Sequence, residues 1–480
     1  ALRELLPHVV RQYMLSMGAG CRFVFETMPR TLTLWFNHGA FLSEVVRSKA
    51  GRHKKLQKDT EKTLEHLNRV IRVQRNSVPV SSWVVALSQL VSRICHKNED
   101  IVIMLQEILA DLLFVFPKQT MWSILPLAQA NNEDRQLNIQ TVIKMAQTKG
   151  NGEESSSEDA EMSRALREFL PQAENLIAHL ITLCNLPLPK STRGFKLSET
   201  PQLKGLHELC PTDIMMPLQV ALTPRLPSNG HLYPQDRSPF LEDAPVIRAI
   251  DDSVVVMHSL QMPRRISFFA DDSPNSCPFT FLCKPKDDLR KDARLMEFCG
   301  LVNRLFMQDL SSVRRHLYMR TFAVIPLDEA SGIIEWVNNT EGLRHICDRL
   351  YNMHLSCPGT NEIRKIWEPP HLDALHKMQS LLPPIFYKWF IDKFPEPSSW
   401  FQARLAYTRT MATWSMVGAI LGLGDRHGEN ILFDSLTGDC VHVDFNCLFD
   451  KGKKFTVKET VPFRLTPNLV HAFGVTGVEG

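Results

Sequence analysis

The stretch Gly424-Asp-Arg-His-Gly-Glu-Asn430 decides the fold predicted for this chain, because it carries an aspartate and an asparagine five positions apart. It follows a long apolar stretch and precedes the strand-like residues 431–433. Phosphoryl transfer needs a carboxylate that accepts the proton of the acceptor hydroxyl and a nearby carbonyl oxygen that holds a metal ion. Asp425 and Asn430 supply both groups from one short loop, which predicts a catalytic loop.

A second motif, Val441-His-Val-Asp-Phe-Asn446, begins soon after the first. Asp444 stands fourteen residues after Asn430 and is followed by Phe, so it occupies the place of the Asp-Phe-Gly metal ligand of kinases, with Asn446 where Gly is commoner. Magnesium prefers hard oxygen ligands, and Asp444 and Asn430 with ATP phosphates and water would form its shell. The two motifs together are far more specific than either alone, since an Asp and an Asn at this spacing are common by chance.

Two other kinds of site could use the same residues, a dinucleotide site and a zinc site. A dinucleotide site is a poor match, because the glycines at 422, 424 and 428 do not fit G-x-G-x-x-G and follow a helix. A zinc site would need paired ligand spacing, which the sequence does not offer. The side chains that could contribute to such a site are His427, Cys440, His442 and Cys447. Of these, His442 is better explained as a packed strand residue.

The composition is that of an ordinary globular protein. Of 480 residues, 44% are hydrophobic and 22% charged, and the formal net charge of +3 does not demand a nucleic-acid or anionic-lipid partner. Eleven cysteines without a C-x-x-C pair indicate free thiols in a reducing compartment. The longest apolar stretch, residues 411–423, is shorter than the ~20 residues of a bilayer span. The chain starts without Met and ends within a motif, which suggests a segment of a larger protein.

The pattern along the chain predicts five regions. Residues 1–148 are expected to form stacked antiparallel helices, since apolar residues recur three and four positions apart. Residues 149–165 are acidic and Ser-rich, which predicts a disordered loop. Residues 166–238 are expected to form a helix and a Pro-rich connection. Residues 239–334 read as strands and residues 335–480 as helices, so the fold class is α+β, with the lobe order of a bilobal kinase domain, although composition alone permits other α+β folds.

The longer stretch of residues 421–434, Leu-Gly-Leu-Gly-Asp-Arg-His-Gly-Glu-Asn-Ile-Leu-Phe-Asp, resembles the catalytic loop of the phosphatidylinositol-3-kinase-related kinases. These kinases place Asp before Arg-His, the reverse of the usual order. The continuation at 442–449 and Val461-Pro-Phe-Arg-Leu-Thr466 resemble the DNA-damage checkpoint branch of the family. The resemblance implies that His427 faces the transferred phosphate. Residues 27–35 resemble the end of the helical FAT region that precedes this kinase domain, so residues 1–148 are predicted to be FAT-like.

Upstream of these motifs, Lys284 stands at the end of a strand-like run and Asp292 follows eight residues later, at the start of a helix. Ordinary kinases use a strand lysine to neutralise ATP phosphate and a helix carboxylate as its counter-charge. The sequence therefore predicts these roles for Lys284 and Asp292, with Asp287 as a second candidate for the carboxylate. Without the downstream motifs, the same charges would fit a solvated turn.

The remaining nucleotide contacts follow from the resemblance. Residues 332–340 match the hinge between the lobes of the family, where Glu335 and Val337 would bond the adenine through the main chain and Trp336 would supply an apolar face. A buried core tryptophan is the alternative for Trp336. Residues 266–273 match the loop that covers the phosphates, but lack its glycine, so backbone donors would come from Ser267 and its neighbours.

The resemblance implies an ATP- and Mg²⁺- or Mn²⁺-dependent protein kinase that modifies Ser or Thr followed by Gln. It further implies a nuclear checkpoint role in response to DNA damage and replication stress, a bound regulatory protein, contact with DNA through that partner, no membrane, and a higher-order assembly. The family continues beyond residue 480, so the helical lobe is expected to be incomplete. Two alternatives are a lipid kinase and a catalytically inactive scaffold with the same core. The presence of Asp425, Asn430 and Asp444 counts against the scaffold.

Overall fold

The computed structural model describes residues 2–20, 22–47, 54–150, 156–226, 238–271, 273, 276–354, 372–475 and 477–479. The chain divides into two compact units. The first unit comprises Ala1–Arg290 with Ala323–Trp336, and the second unit comprises Lys291–Phe322 with Val337–Gly480. None of the helices in the described residues is long and apolar enough to cross a membrane.

Helices make up the amino-terminal part of the first unit. They are α1 Leu2–Ala19, α2 Val24–Arg47, α3 Lys54–Arg75, α4 Val80–Val84, α5 Leu87–Ser92, α6 Glu99–Val115, α7 Pro117–Ile124, α8 Glu133–Thr148, α9 Ser157–Asn185, α10 Lys204–His207 and α11 Gln219–Leu222, with a 3₁₀ turn at Leu125–Gln129. Asn98 and Asn132 cap α6 and α8 by accepting the backbone N–H groups of Ile101 and Arg135. The predicted helical character of this region is confirmed.

The same unit contains a seven-stranded antiparallel sheet within the described residues. Its strands are β1 Gly194–Lys196, β2 Ala249–Ile250, β3 Ser253–Val256, β4 Arg264–Phe269, β5 Phe279–Pro285, β6 Val324–Pro326 and β7 Ser331–Glu335. The order is β1-β3-β4-β5-β7-β6, and β2 pairs with β4. One hydrophobic cluster runs from the helices into the sheet, where Phe268, Phe281 and Ile333 are almost fully buried.

The second unit is mainly helical, with a three-stranded sheet in the order β10-β9-β8. Its helices are α12 Arg290–Gln308, α13 Leu310–Arg314, α14 Leu343–His354, α15 Leu372–Leu381, α16 Tyr387–Lys393, α17 Pro397–Leu421 and α18 Pro467–Ala472, and its strands are β8 Thr340–Gly342, β9 Ile431–Asp434 and β10 Cys440–His442. Short 3₁₀ turns lie at Lys451–Lys454 and Gly477–Glu479. Its core is aromatic, with Tyr407 and Phe433 packed against Phe386.

The predicted disordered loop over residues 149–165 is wrong from Ser157 onward, because α9 begins there. The Oγ of Ser156 accepts the N–H of Asp159 at 3.1 Å, and the Asp159 carboxylate accepts the N–H of Ser156 at 3.3 Å. This reciprocal capping box stabilises a helix start in an acidic, Ser-rich sequence. Residues 151–155 lie outside the described residues.

The predicted connection over residues 166–238 also needs correction. Gly194–Lys196 forms strand β1 and pairs with β3, so the sheet begins well before residue 239. The predicted strand-rich segment 239–334 is not one compact unit either, since Lys291–Phe322 belongs to the second unit. Short strands with distant partners carry little local signal, which explains why the boundary could not be read from the sequence.

Candidate active site

Lys284 lies on strand β5 and is paired with a carboxylate. Its Nζ donates to Oδ2 of Asp287 at 3.2 Å, and the two side chains are only 13% and 8% exposed. A mostly buried ammonium group requires an opposite charge, and Asp287 supplies it within the first unit. Asp292, the first choice from the sequence, lies on α12, where its Oδ1 accepts the N–H of Phe445 at 3.0 Å.

Ser267 is part of strand β4 rather than of a loop, so the predicted loop over residues 266–273 is wrong for its first residues. Its hydroxyl lies 3.2 Å from Oγ1 of Thr280, and its carbonyl accepts the N–H of Asp251 at 2.9 Å. The buried residues Arg264, Ile266 and Phe268 alternate with half-buried ones, which is the two-residue period of a strand. Residue 272 lies outside the described residues.

Glu335 ends strand β7, Trp336 follows it, and the chain passes into the second unit at Val337. The Glu335 carboxylate accepts the N–H groups of Ala323 at 2.8 Å and of Gln219 at 2.9 Å, which fixes the end of this strand. Trp336 is half-buried, with the Arg265 guanidinium 5.8 Å from the centre of its ring. It is therefore not the buried core tryptophan that the sequence left open. Val337 accepts the Thr340 hydroxyl at 2.7 Å through its carbonyl.

The loop between α17 and β9 is organised by Arg426. Its Nε donates to the carbonyl of Gly424 and its Nη1 to the carbonyl of Val443, both at 2.9 Å, while Nη2 donates to the carbonyl of Asp444. Its guanidinium carbon also lies 5.6 Å from the centre of the Phe445 ring. One side chain thus joins the two motifs recognised in the sequence.

Arg426 is 7% exposed, and its burial lowers the pKa of its guanidinium, whereas the charges of Asp444 and Asp425 raise it. An arginine keeps its proton in proteins even when buried. The loop therefore contains a fixed positive charge beside two carboxylates.

Asp425 adopts a left-handed backbone with φ of 58°. Its N–H donates to Oε1 of Glu459 at 2.8 Å. His427 follows, with a side chain 41% exposed, and its Nδ1 accepts the N–H of Glu429 at 3.2 Å. An acceptor at Nδ1 leaves Nε2 as the protonated nitrogen of the neutral ring. The loop therefore offers one carboxylate and one imidazole N–H.

Asn430 is bonded through its backbone to Val443, the residue before Asp444. The Asn430 carbonyl accepts the N–H of Val443 at 3.1 Å, and its Nδ2 donates to the carbonyl of Asp425 at 2.9 Å. Since Nδ2 is used in this way, Oδ1 of Asn430 is the atom suited to a cation. The Nδ2 of Asn446 donates to Oδ1 of Asp444 at 3.0 Å, so the residue that replaces the usual glycine orients this carboxylate.

These donors suit magnesium better than zinc. An amide oxygen and a carboxylate are hard oxygen ligands, and magnesium usually binds one or two carboxylates and completes its shell with water and substrate phosphates. In the part of the chain that the structure describes, no three His, Cys, Asp or Glu side chains form a metal-binding cluster. The zinc alternative built on His427, Cys440, His442 and Cys447 therefore has no support.

An aromatic stack lies behind the second motif. The rings of Trp414 and His442 are parallel at 4.7 Å, and Phe445 stacks on Trp414 at 5.7 Å. Burial lowers the pKa of His442 well below its ordinary value, and Arg426 acts in the same direction. His442 is therefore a neutral, packed strand residue, as the sequence indicated.

Two residues of this site were missed by the sequence reasoning. Arg426 lies between Asp425 and His427 in the first motif. A charged residue between two candidate functional residues is a signal that could have identified it as part of the site. Glu459 is 34 positions from Asp425, and no local pattern pointed to their contact.

Comparisons with known proteins identify relatives of this chain. The family described as phosphatidylinositol 3- and 4-kinase matches residues 278–480, and the HEAT repeats of ATR-like serine/threonine-protein kinases match residues 66–163. The serine/threonine-protein kinase ATR of Arabidopsis thaliana is 39% identical over 98% of this chain, and protein kinase rad3 of Schizosaccharomyces pombe is 37% identical over 99%. The chain spans 17% and 20% of the length of these two relatives.

The solved structure titled "FAT and kinase domain of CtTel1" has a TM-score of 0.79 and 24% identity, covering 99% of this chain and 31% of that one. This likeness supports the fold, a helical region followed by a kinase domain. Together with the two family matches and the identity along nearly the whole chain, it leads to one conclusion. The chain combines a domain of the phosphatidylinositol 3- and 4-kinase family with ATR-like HEAT repeats, and it is a relative of the ATR and rad3 kinases.

Proposed function

We propose that the protein containing this chain is an ATP-dependent protein kinase of the DNA-damage and replication-stress checkpoint. It phosphorylates Ser or Thr followed by Gln, acts in the nucleus, and works in a larger assembly with an ATR-interacting regulatory protein that mediates contact with DNA. The observation that supports this most strongly is the set of hydrogen bonds made by Arg426. Its guanidinium donates to the carbonyls of Val443 and Asp444 beside Asp425.

The site residues of the second unit receive one role each. Asp425 orients the acceptor hydroxyl and takes its proton, and His427 stabilises the transferred phosphate through its ring N–H. Asn430 and Asp444 hold magnesium, or manganese, which supplies charge neutralisation on the ATP phosphates. Asn446 keeps the Asp444 carboxylate in place through its amide.

The nucleotide-binding roles are assigned to Lys284, Asp287, Asp292 and Ser267 and to the hinge. Lys284 neutralises ATP phosphate, with Asp287 as its counter-charge and Asp292 as the helix carboxylate of the site. Trp336 gives the adenine an apolar face, and the main chain of Glu335 and Val337 bonds the adenine edge. Ser267 contributes to the phosphate-binding end from strand β4.

A lipid kinase is the second candidate, because the matching family includes phosphatidylinositol kinases and the segment after Asp444 is basic. Lys451, Lys453 and Lys458 are exposed there and would attract an anionic head group. However, acidic and apolar side chains alternate with them, including the half-buried Glu459 and exposed Val461, and an extended peptide fits this mixture better.

The test is a radiolabelled ATP assay on the full-length protein with its regulatory partner. Three acceptors are offered in parallel: a peptide with Ser-Gln, the same peptide with Ser-Ala, and phosphoinositide vesicles. We expect transfer to the first peptide and a loss of roughly 10²-fold or more with the second, since a site built to bond an amide leaves polar groups unpaired without it. The Asp425→Asn protein, prepared identically, measures contaminating kinases. Preferential labelling of vesicles would establish the lipid kinase, and nucleotide binding without transfer would establish the scaffold.

A further inference from the structure

The carboxylate of Glu459 is held close to the main chain of the catalytic loop. Its Oε1 accepts the N–H of Asp425 at 2.8 Å, while the backbone N–H of Glu459 donates to the carbonyl of Gly452 at 3.1 Å. The side chain thus connects two segments that are distant in sequence. One carries Asp425, and the other, residues 450–466, follows the second motif.

Two glycines make room for this carboxylate. A Cβ on Gly452 would overlap Oε2 of Glu459 and lie 2.8 Å from its Cδ. A Cβ on Gly424 would overlap the same oxygen and lie 2.7 Å from Sγ of Cys447. Neither glycine has a positive φ, so the backbone alone does not require glycine at either position. A side chain at position 452 would therefore have to displace Glu459, and one at position 424 would have to displace Glu459 and Cys447.

The backbone that Glu459 contacts has an energetically unfavourable conformation. Asp425 has a φ of 58°, and a non-glycine residue in this region costs roughly 1 kcal/mol, although Asp tolerates it better than most. A hydrogen bond from a backbone N–H to a carboxylate is about twice as strong as one between neutral groups. The contact can therefore offset the cost of this conformation and fix the direction of the Asp425 side chain.

We propose that Glu459 is a positioning residue for the transfer reaction. Its carboxylate accepts the N–H of Asp425, and Glu459 itself belongs to the segment 450–466. The contact therefore keeps this segment, which lies beside the acceptor, in a fixed position relative to the proposed base. The role rests on the function proposed above, but the contact can be tested without activity.

The kinetic test compares four variants of the full-length protein, Glu459→Ala, Glu459→Gln, Gly452→Ala and the double variant Glu459→Ala/Gly452→Ala. Glu459→Ala should lower kcat by roughly 10- to 100-fold, the range for a hydrogen bond to a charged group, with the KM for ATP within about twofold. Glu459→Gln keeps a carbonyl acceptor and should retain kcat within about threefold. Glu396 is exposed and makes no side-chain bond to the start of α17, so Glu396→Ala is the matched control and should leave kcat unchanged.

Gly452→Ala should displace the carboxylate and lower kcat nearly as much as Glu459→Ala. The double variant should be no slower than Glu459→Ala alone, because the clash disappears with the carboxylate, and such non-additivity marks two residues that act through one contact. Independent, additive losses would overturn the proposal. So would a Glu459→Gln variant as slow as Glu459→Ala, because the hydrogen bond would then not be the cause.

Hydrogen exchange separates this inference from the proposed function. The Asp425 amide is protected by its bond to Glu459, so the peptide covering residues 424–426 should exchange roughly tenfold faster in Glu459→Ala than in wild type, and not in Glu396→Ala. If wild type is inactive but this protection is lost in the variant, the proposed function fails and the contact stands. If wild type is active and neither kcat nor exchange changes in Glu459→Ala, the positioning role fails and the function stands.

Discussion

The helices of the first unit and the loops around Arg426 in the second unit fix their backbones by different means. In α6, Leu105 and Leu109 are completely buried, and the helix begins at a capped end, Asn98, with regular backbone bonds between. In the loops, Asp425, Asp444, Phe449 and Asp450 all have positive φ. There side chains add to the irregular bonds between backbone groups, above all through the three donors of Arg426.

This difference teaches where stability and activity are encoded. Burial of apolar area is non-directional, so a core change in α6 alters the free energy of unfolding without changing the geometry of distant groups. Hydrogen bonds to single carbonyls are directional, so a polar change in the loops alters the geometry of the site at small cost in stability. The predictions below test whether the two regions separate in this way.

The largest effect is expected in the loop. Asp425→Asn keeps the shape of the side chain and tolerates the left-handed backbone, but cannot accept a proton. Turnover of the full-length protein on a Ser-Gln peptide should fall by roughly 10²- to 10⁴-fold, the range for a positioned base. The dissociation constant of the nucleotide and the melting temperature should hardly change, because the proposed role of Asp425 lies in the reaction itself. Near-normal turnover would show that this residue is not the base.

A smaller but purely structural effect is expected in α6. Leu105→Ala removes a fully buried side chain and should lower the free energy of unfolding of the helical region by about 2–5 kcal/mol. Ile103 lies on the same helix but is 47% exposed, so Ile103→Ala is the matched control and should cost much less. Both are measured by hydrogen exchange of peptides from residues 99–115, and turnover per folded molecule should stay constant. A changed KM or kcat in the folded fraction would contradict the separation of the two regions.

The same contrast explains what the sequence could and could not predict. The helix α6 and the long helix α17 were predicted because their apolar spacing is local. The pairing of Asp425 with Asn430 was predicted because both residues lie in one short loop. The contact of Glu459 with Asp425 was not, since a hydrogen bond between residues 34 positions apart leaves no periodic signal.

Two errors have a different origin. The acidic residues before α9 have the composition of a disordered segment and also the Ser156–Asp159 pattern of a capping box, and the composition was given too much weight. Ser267 was assigned to a loop from a family resemblance, although the apolar residues Ile266 and Phe268, two positions apart, fit a strand. In both cases a local pattern was present and was overruled by a more general expectation.

The smallest effect concerns the pH dependence of stability that arises from His442, whose ring stacks on Trp414. Neither ring nitrogen of the buried His442 has a hydrogen-bond partner within the described residues, and its folded pKa lies well below 6.5. In the unfolded chain the ring binds a proton below pH ~6.5, whereas the folded protein does not, so the unfolded state binds more protons. Stability is therefore full above pH ~6.5 and decreases as the pH falls towards the folded pKa, by at most ~1.4 kcal/mol per pH unit.

His442→Phe keeps a ring to stack on Trp414 but cannot titrate, so it should remove this part of the pH dependence. The measurement is the opening free energy of the segment 440–446, determined by hydrogen exchange of the full-length protein at pH 7.5 and at pH 5.5. His345 is exposed, so the difference between the two pH values should persist in His345→Phe. Because Arg426 faces His442 and stays charged, a proton on His442 would also repel the residue that bonds Val443 and Asp444. Acidification should then loosen the loops before the helices, and equal loosening of α6 in the same pH range would show that the two regions do not differ as argued.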